Sequence, residues 1–251
     1  MPIETATATK QSITSTTAKT SPKQSMTSTT AKKQPVTSTT AKTTPKQPMT
    51  IDPKIQKVLD DLQNPILFDG EDTLFKNELS KATVYAEIGM GQSTVFADRQ
   101  EHLEQVIAVD TSPEWTRIVQ YLTTPKTIVA HVDLGSVGNW DRPISYEKRD
   151  NIRSYSTAVF RGAKEPDLVL IDGRFRVFCF LTVYLLSKPG TRIIFDDYMP
   201  RKYYHVIEEL VQPVAHNDRQ VVFQRESGLN ENETRRREFL RLIDKFEYVM
   251  D

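Results

Sequence analysis

The sequence predicts an α/β fold: a doubly wound, mostly parallel sheet with helices on both faces, preceded by a disordered tail. Three observations predict it. Past Ile51, short runs rich in Val and Ile alternate with helical blocks. Strands covered on both faces read as such continuous apolar runs, and their alternation with helices calls for right-handed crossovers in one parallel sheet. Glycines and acids then recur at the ends of those runs. The first fifty residues show neither pattern and are set apart by composition.

That leading segment holds twenty-two Ser or Thr and five Pro, with no Gly, Leu or aromatic residue. It cannot bury enough apolar surface to offset the entropy of ordering it. It is also repetitive: QSITSTTAK (11–19) recurs as QSMTSTTAK (24–32) and QPVTSTTAK (34–42), and QPMT (47–50) closes the series. The spacing is irregular and no apolar face is shared between copies, which excludes a solenoid. Residues 1–50 are therefore expected to be a Thr/Ser/Lys-rich disordered tail, and 51–251 one domain burying about 70% of its unfolded surface.

Each element has its own justification. KIQKVLDDL (54–62) and TLFKNELSKA (73–82) carry helical spacing ahead of the first strand, TVYAEI (83–88). STVFADRQEHLEQ (93–105) reads as a helix, VIAVD (106–110) as a strand, and PEWTRIVQYL (113–122) as a helix with Pro113 in its first turn, where its missing N–H costs nothing. KTIVAHVD (126–133) is a strand, with His131 expected in the core, and Leu134 to about Glu165 an irregular stretch long enough to be functional. Within it Trp140, Tyr146 and Tyr155 offer aromatic surface for a lid. DLVLID (167–172) is a strand and RVFCFLTVYLLS (176–187) a helix stopped by Lys188-Pro189-Gly190. TRIIFDD (191–197), RKYYHVIEELV (201–211) and RQVVFQ (219–224) complete the series as strand, helix and strand. Finally, residues 231–250 place Phe239, Leu242, Ile243, Phe246 and Met250 on one stripe, with Asn230 and Glu233 as a capping pair. That stripe packs either on its own domain or, as a possible homodimer contact, on a second copy.

Composition narrows the function classes. The chain is formally neutral, but the tail carries seven Lys against one Glu, leaving the rest at −6. The tail lysines read as solvating charge on a segment open to phosphorylation, so nucleic acid is not the expected partner. The start of the chain has no apolar core of a signal peptide, and the longest apolar run, 177–186, is too short for a bilayer. The lone cysteine, Cys179, excludes an intrachain disulfide and reads as a small core residue. No membrane span and a cytoplasmic location are expected.

In an open parallel sheet, ligands bind beyond the carboxyl ends of the strands. There the sequence places Gly89 and Gly91, Gly135 and Gly138, and Gly173, together with Glu87, Asp110, Asp133, Asp172, Asp196 and Asp197. Six like charges along one sheet edge repel one another, which points to a ligand or cation. The loop Gly89-Met90-Gly91-Gln92-Ser93-Thr94 lacks the third glycine of a dinucleotide fingerprint and the lysine of a phosphate loop. Glu87 would repel a pyrophosphate and attract an ammonium group, while Asp110 ends the strand whose carboxylate accepts from ribose hydroxyls. A ligand with a ribose, a cationic amino end and no phosphate fits, and S-adenosylmethionine is one.

The segments AEIGMGQST, VIAVD, AHVDLG, DLVLIDG and KPGTRIIFDD resemble, in order and spacing, those of the Rossmann-like class I S-adenosylmethionine-dependent methyltransferases. The resemblance implies that Glu87, Gly89 and Gly91 hold the methionine end, Asp110 the ribose, and Asp133 with Leu134 the adenine, with Ser93 and Asp172 also among the cofactor-binding residues. LIDG and IIFDD are further similar to the catechol and caffeoyl-type O-methyltransferases, which implies Mg²⁺ on Asp172, Asp196 and Asp197 and a small-molecule hydroxyl as methyl acceptor. Phe175 stands where that group has a lysine, and Asp197 where it has an asparagine; Arg174 and Arg176 flank the mouth instead. Asp172 and His205 are the candidate catalytic groups, His205 as a base whose ordinary pKa lies near working pH. A non-catalytic binding protein on the same fold, and an oxidoreductase with a degenerate dinucleotide loop, remain open alternatives.

Overall fold

A computed structural model describes residues 52–63, 65–139 and 142–250. The repeat tail and Trp140 lie outside the described residues. Two helices, α1 (Pro53–Asp61) and α2 (Thr73–Leu79), precede the first strand, β1 (Val84–Ile88). The chain then alternates through α3 (Gln92–Asp98), β2 (Gln105–Asp110), α4 (Pro113–Leu122) and β3 (Thr127–His131). After a loop come α5 (Ile152–Thr157), β4 (Leu168–Ile171), α6 (Arg176–Leu186) and β5 (Arg192–Phe195). A 3₁₀ helix (Lys202–Glu209), the hairpin of β6 (Ala215–His216) with β7 (Val221–Gln224), and α7 (Glu233–Phe246) complete the domain.

The sheet runs β3-β2-β1-β4-β5-β7-β6. The first five strands are parallel, and β7 is antiparallel to β5 and β6. From β1 the chain winds outward through β2 and β3 on one side and β4 and β5 on the other, so the topological switch lies between β1 and β4. Alternation divides the strands between two cores. Ala86, Ile88, Ile107, Val109, Val169 and Ile171 face α5, α6 and α7. Tyr85, Val106, Leu168 and Leu170 face the side covered by α2 and α3. Both faces are apolar because both are covered.

Several elements differ from expectation. α3 stops at Asp98, whose carboxylate turns inward to accept from the hydroxyls of Thr124 and Thr127 at 2.9 and 2.6 Å. The segment expected as one loop contains α5. The element after β5 is a 3₁₀ helix. His131 is exposed rather than core, with Nε2 3.1 Å from the Thr111 carbonyl oxygen. The cap of α7 is Asn232, accepting from Arg235 N at 3.0 Å, while Asn230 accepts from Arg225. Phe239, Leu242 and Ile243 are buried in the main core, with Tyr184 of α6 stacked on Phe239 at 5.2 Å. The stripe a homodimer would have used is thus engaged within the domain. Among the described residues no helix is long and apolar enough to cross a membrane.

Candidate functional site

The glycine loop sits at the switch point. Gly89 has φ +95°, the left-handed region open to glycine, and its N–H donates to the Val109 carbonyl at 2.8 Å. A Cβ here would lie 2.5 Å from Gly173 N, so the loops after β1 and β4 meet backbone to backbone. A Cβ on Gly91 would meet nothing within 4 Å, which leaves that side of the loop open. Thr94 stands where a dinucleotide loop has its third glycine. Its hydroxyl accepts from Gly91 N at 3.0 Å and donates to Glu87.

Glu87 is fully buried and accepts further bonds from Tyr85 Oη at 2.6 Å and Ser93 Oγ at 2.9 Å. Burial outweighs these three hydroxyls and pushes its carboxyl up to about 7. Asp110 accepts from Met90 N and Ser112 N, both at 2.7 Å, and so ties β2 to the glycine loop. Glu87, Gly89, Gly91, Ser93 and Asp110 are therefore brought together. Asp133 lies further out, accepting from Gly135 N at 2.8 Å. Leu134 is buried and lines a crevice with Ile152, Phe175, Tyr146 and Met250 that is too tight for a water molecule. Tyr146 donates to the Tyr248 carbonyl at 2.7 Å, so this lid aromatic is tied to the 247–250 segment. Tyr155, also expected on the lid, is buried beneath Gly173 and accepts from Arg174 N at 3.3 Å.

The ends of β4 and β5 depart from expectation. Asp172, Asp196 and Asp197 do not form an open metal mouth, and among the described residues no group of three His, Cys, Asp or Glu side chains could hold a metal. The physical reason is three arginines. Arg219 donates to Asp196 through Nε at 2.9 Å and Nη2 at 2.7 Å and pairs with Asp197 at 2.9 Å. Arg201 pairs with Asp197 at 2.7 Å. Arg176, only 4% exposed, pairs with Asp172 at 3.1 Å and Asp197 at 3.4 Å and lies 3.8 Å from Asp196. Mg²⁺ needs oxygen ligands free for a close octahedral shell, and these are engaged by guanidinium. Burial and the Asp196 carboxylate push the Asp172 carboxyl well above the usual range. Burial acts the same way on Asp196, but the Arg219 bonds overcome it and hold that group low.

Strain collects here as well. Phe175 (φ +53°) and Asp197 (φ +57°), one after each strand, are non-glycine residues in the left-handed region, a costly conformation for a bulky side chain. His205 is stacked on Tyr198 with ring centres 4.7 Å apart, and its Nδ1 lies 3.5 Å from Glu208. The residues that sequence reasoning missed are Tyr85, Thr94, Arg201 and Arg219. A signal existed for Arg201, four residues beyond Asp197, and the same spacing links Arg176 to Asp172. Arg219 and Tyr85 carried none.

No protein-family model matches the chain, and no curated protein matches its sequence. Among solved structures, the N-methyltransferase NodS from Bradyrhizobium japonicum, solved with S-adenosyl-L-homocysteine, aligns with 69% of this chain and 99% of its own at 14% identity and a TM-score of 0.40, too distant to carry an argument. A methyltransferase-like protein from Silicibacter pomeroyi aligns at 28% identity and a TM-score of 0.59, over 70% of this chain and 93% of that one. The fold of this chain is accordingly that of a methyltransferase-like protein.

Proposed function

We propose that the chain is an S-adenosylmethionine-dependent methyltransferase. One observation carries this reading: the acids at the ends of β1 and β2 are held by neutral donors around an open glycine loop. Glu87 accepts from hydroxyls, and Asp110 accepts from the backbone N–H groups of Met90 and Ser112. Their negative field suits a ligand with a positive end and repels a phosphate. The likeness to the Silicibacter pomeroyi protein supports the same reading.

When bound, S-adenosylmethionine supplies an electrophilic methyl group on a sulfonium. The chain's own residues do the rest. Asp110, at the end of β2, accepts from the ribose hydroxyls, and Gly91 leaves room for the amino-acid end, with Ser93 beside it. Leu134 and Asp133 border the adenine, and Met250 must shift from Leu134 for a ring to pack there. Asp172 has the most open side chain of the three acids beyond β4 and β5, at 29% exposed, and is the candidate base for a small-molecule hydroxyl. His205 is the weaker candidate, since stacking on Tyr198 fixes its ring.

Calorimetry with S-adenosylmethionine, S-adenosylhomocysteine and NAD tests the reading. Both sulfur ligands are expected to bind, and Asp110→Asn is expected to weaken them at least tenfold, as loss of charged hydrogen bonds worth about 1.5–3 kcal/mol implies. NAD binding without either sulfur ligand would overturn it in favour of an oxidoreductase. Binding without turnover of any hydroxyl acceptor would leave a binding protein.

A further inference from the structure

We propose that Arg176 is a built-in cation: its guanidinium stands where a divalent ion would stand between the ends of β4 and β5, and fixes Asp172 and Gly173 against the glycine loop. The side chain starts at the first residue of α6, directly after left-handed Phe175, and points back into the sheet edge. Its Nε donates to the Gly173 carbonyl at 3.0 Å and its Nη1 to the Asp196 carbonyl at 2.8 Å, bridging the chain after β4 to the end of β5. Around it lie the carboxylates of Asp172, Asp197 and Asp196 at 3.1, 3.4 and 3.8 Å. Three carboxylates and two carbonyls converging on one charge are what an oxygen-liganded cation gathers, and here a side chain gathers them.

Arginine suits the position for two reasons. Its planar fork presents several donors at fixed angles, so one group meets acceptors from two strands. It also stays charged when buried, as this one is, whereas a lysine there would bring a single point charge without the fork that meets both strands. The backbone of Gly173 touches Gly89, so the hold on Gly173 reaches the glycine loop through direct contact. Arg176 is thus a positioning residue for that loop and for Asp172.

The inference rests on the methyltransferase reading only for what the loop binds; its decisive test needs no cofactor. Wild-type protein and Arg176→Ala are titrated with Mn²⁺ by calorimetry and by thermal unfolding, with and without EDTA. The wild type is expected to take up no Mn²⁺ and to melt at one temperature in both conditions. Arg176→Ala, with Asp172 and the Gly173 and Asp196 carbonyls left without this guanidinium, is expected to melt lower, to bind one Mn²⁺, and to regain about 5–10 °C at a hundredfold excess over the dissociation constant. A purely structural arginine would give the lower melting point without the gain of metal binding. Stoichiometric Mn²⁺ binding by the wild type, or a folded Arg176→Ala that binds none, overturns the proposal. If Arg176→Ala is insoluble, Arg176→Gln, which keeps hydrogen-bond donors but removes the charge, decides by the same titration, and a folded Arg176→Gln that binds no Mn²⁺ overturns the proposal. Failure of every form to bind S-adenosylhomocysteine would count against the functional reading alone.

Discussion

The two halves of the sheet edge satisfy their acids in opposite ways. At the ends of β1 and β2, Glu87 and Asp110 are held by three hydroxyls and two backbone N–H groups, all neutral. At the ends of β4 and β5, three aspartates face three arginines. Neutral donors steady a carboxylate without cancelling its field. Guanidinium cancels the field on the spot, and the second half has no charge left for a metal. Acids at the same place in the fold are thus held by neutral donors in one half and clasped by guanidinium in the other.

Removing Arg219 breaks the clasped half hardest. Asp196 is fully buried and takes three of its bonds from this guanidinium. Arg219→Met leaves that charge uncompensated and is expected to cost about 3–5 kcal/mol, lowering the melting temperature by about 6–20 °C. A loss under 1 kcal/mol in urea denaturation would show that Gln220 and Arg176 suffice.

The neutral half is probed through pH. The folded state raises the Glu87 carboxyl from its ordinary value to about 7, chiefly by burial. A raised carboxyl means that the folded state binds its proton more tightly, so its contribution is complete below about pH 4.5 and lost as pH rises through about 7. The span is worth about 3 kcal/mol at 1.36 kcal/mol per unit. Glu87→Gln should flatten that part of the stability profile between pH 5 and 8, and an identical slope in the two proteins would remove Glu87 from the account. The smallest effect is expected away from both halves. Arg153 donates to Glu247 through two bonds of 2.7 Å, but its side chain is 66% exposed. Solvent screening limits Glu247→Gln to about 1 kcal/mol or less, measurable as a small shift in the urea midpoint.

The strands were legible because Val and Ile runs such as TVYAEI and TRIIFDD have one use in a doubly wound sheet, and the acids at their ends followed from position. Their partners were less legible. Arg176 and Arg201 lie one helical turn past Asp172 and Asp197, a readable spacing, but a turn-spaced ion pair looks the same on any exposed helix. Arg219 reaches Asp196 from the β6–β7 turn, a contact that only the folded sheet creates. The expected metal failed for this reason: sequence shows charges of one sign gathering, and the counter-charges arrive from distant segments. Thr94 was legible only as a missing glycine, although its hydroxyl is what anchors Glu87. α5 escaped because it has six residues and little periodicity.

The order of strands also bears on how the chain is made. Of the described strands β1 is synthesised first, yet it ends near the centre of the sheet. Tyr85 finds Val106 of β2 soon after, but its other neighbour is Leu168 of β4. At ribosomal rates of about 5–20 residues per second, the second edge of β1 stays bare for roughly 4 to 17 s. A growing chain that shows an unpaired apolar edge for that long is open to pairing with its neighbours on a polysome. The growing chain is therefore most exposed to misassembly between the emergence of β3 and that of β4, while the acids of both halves still lie in water.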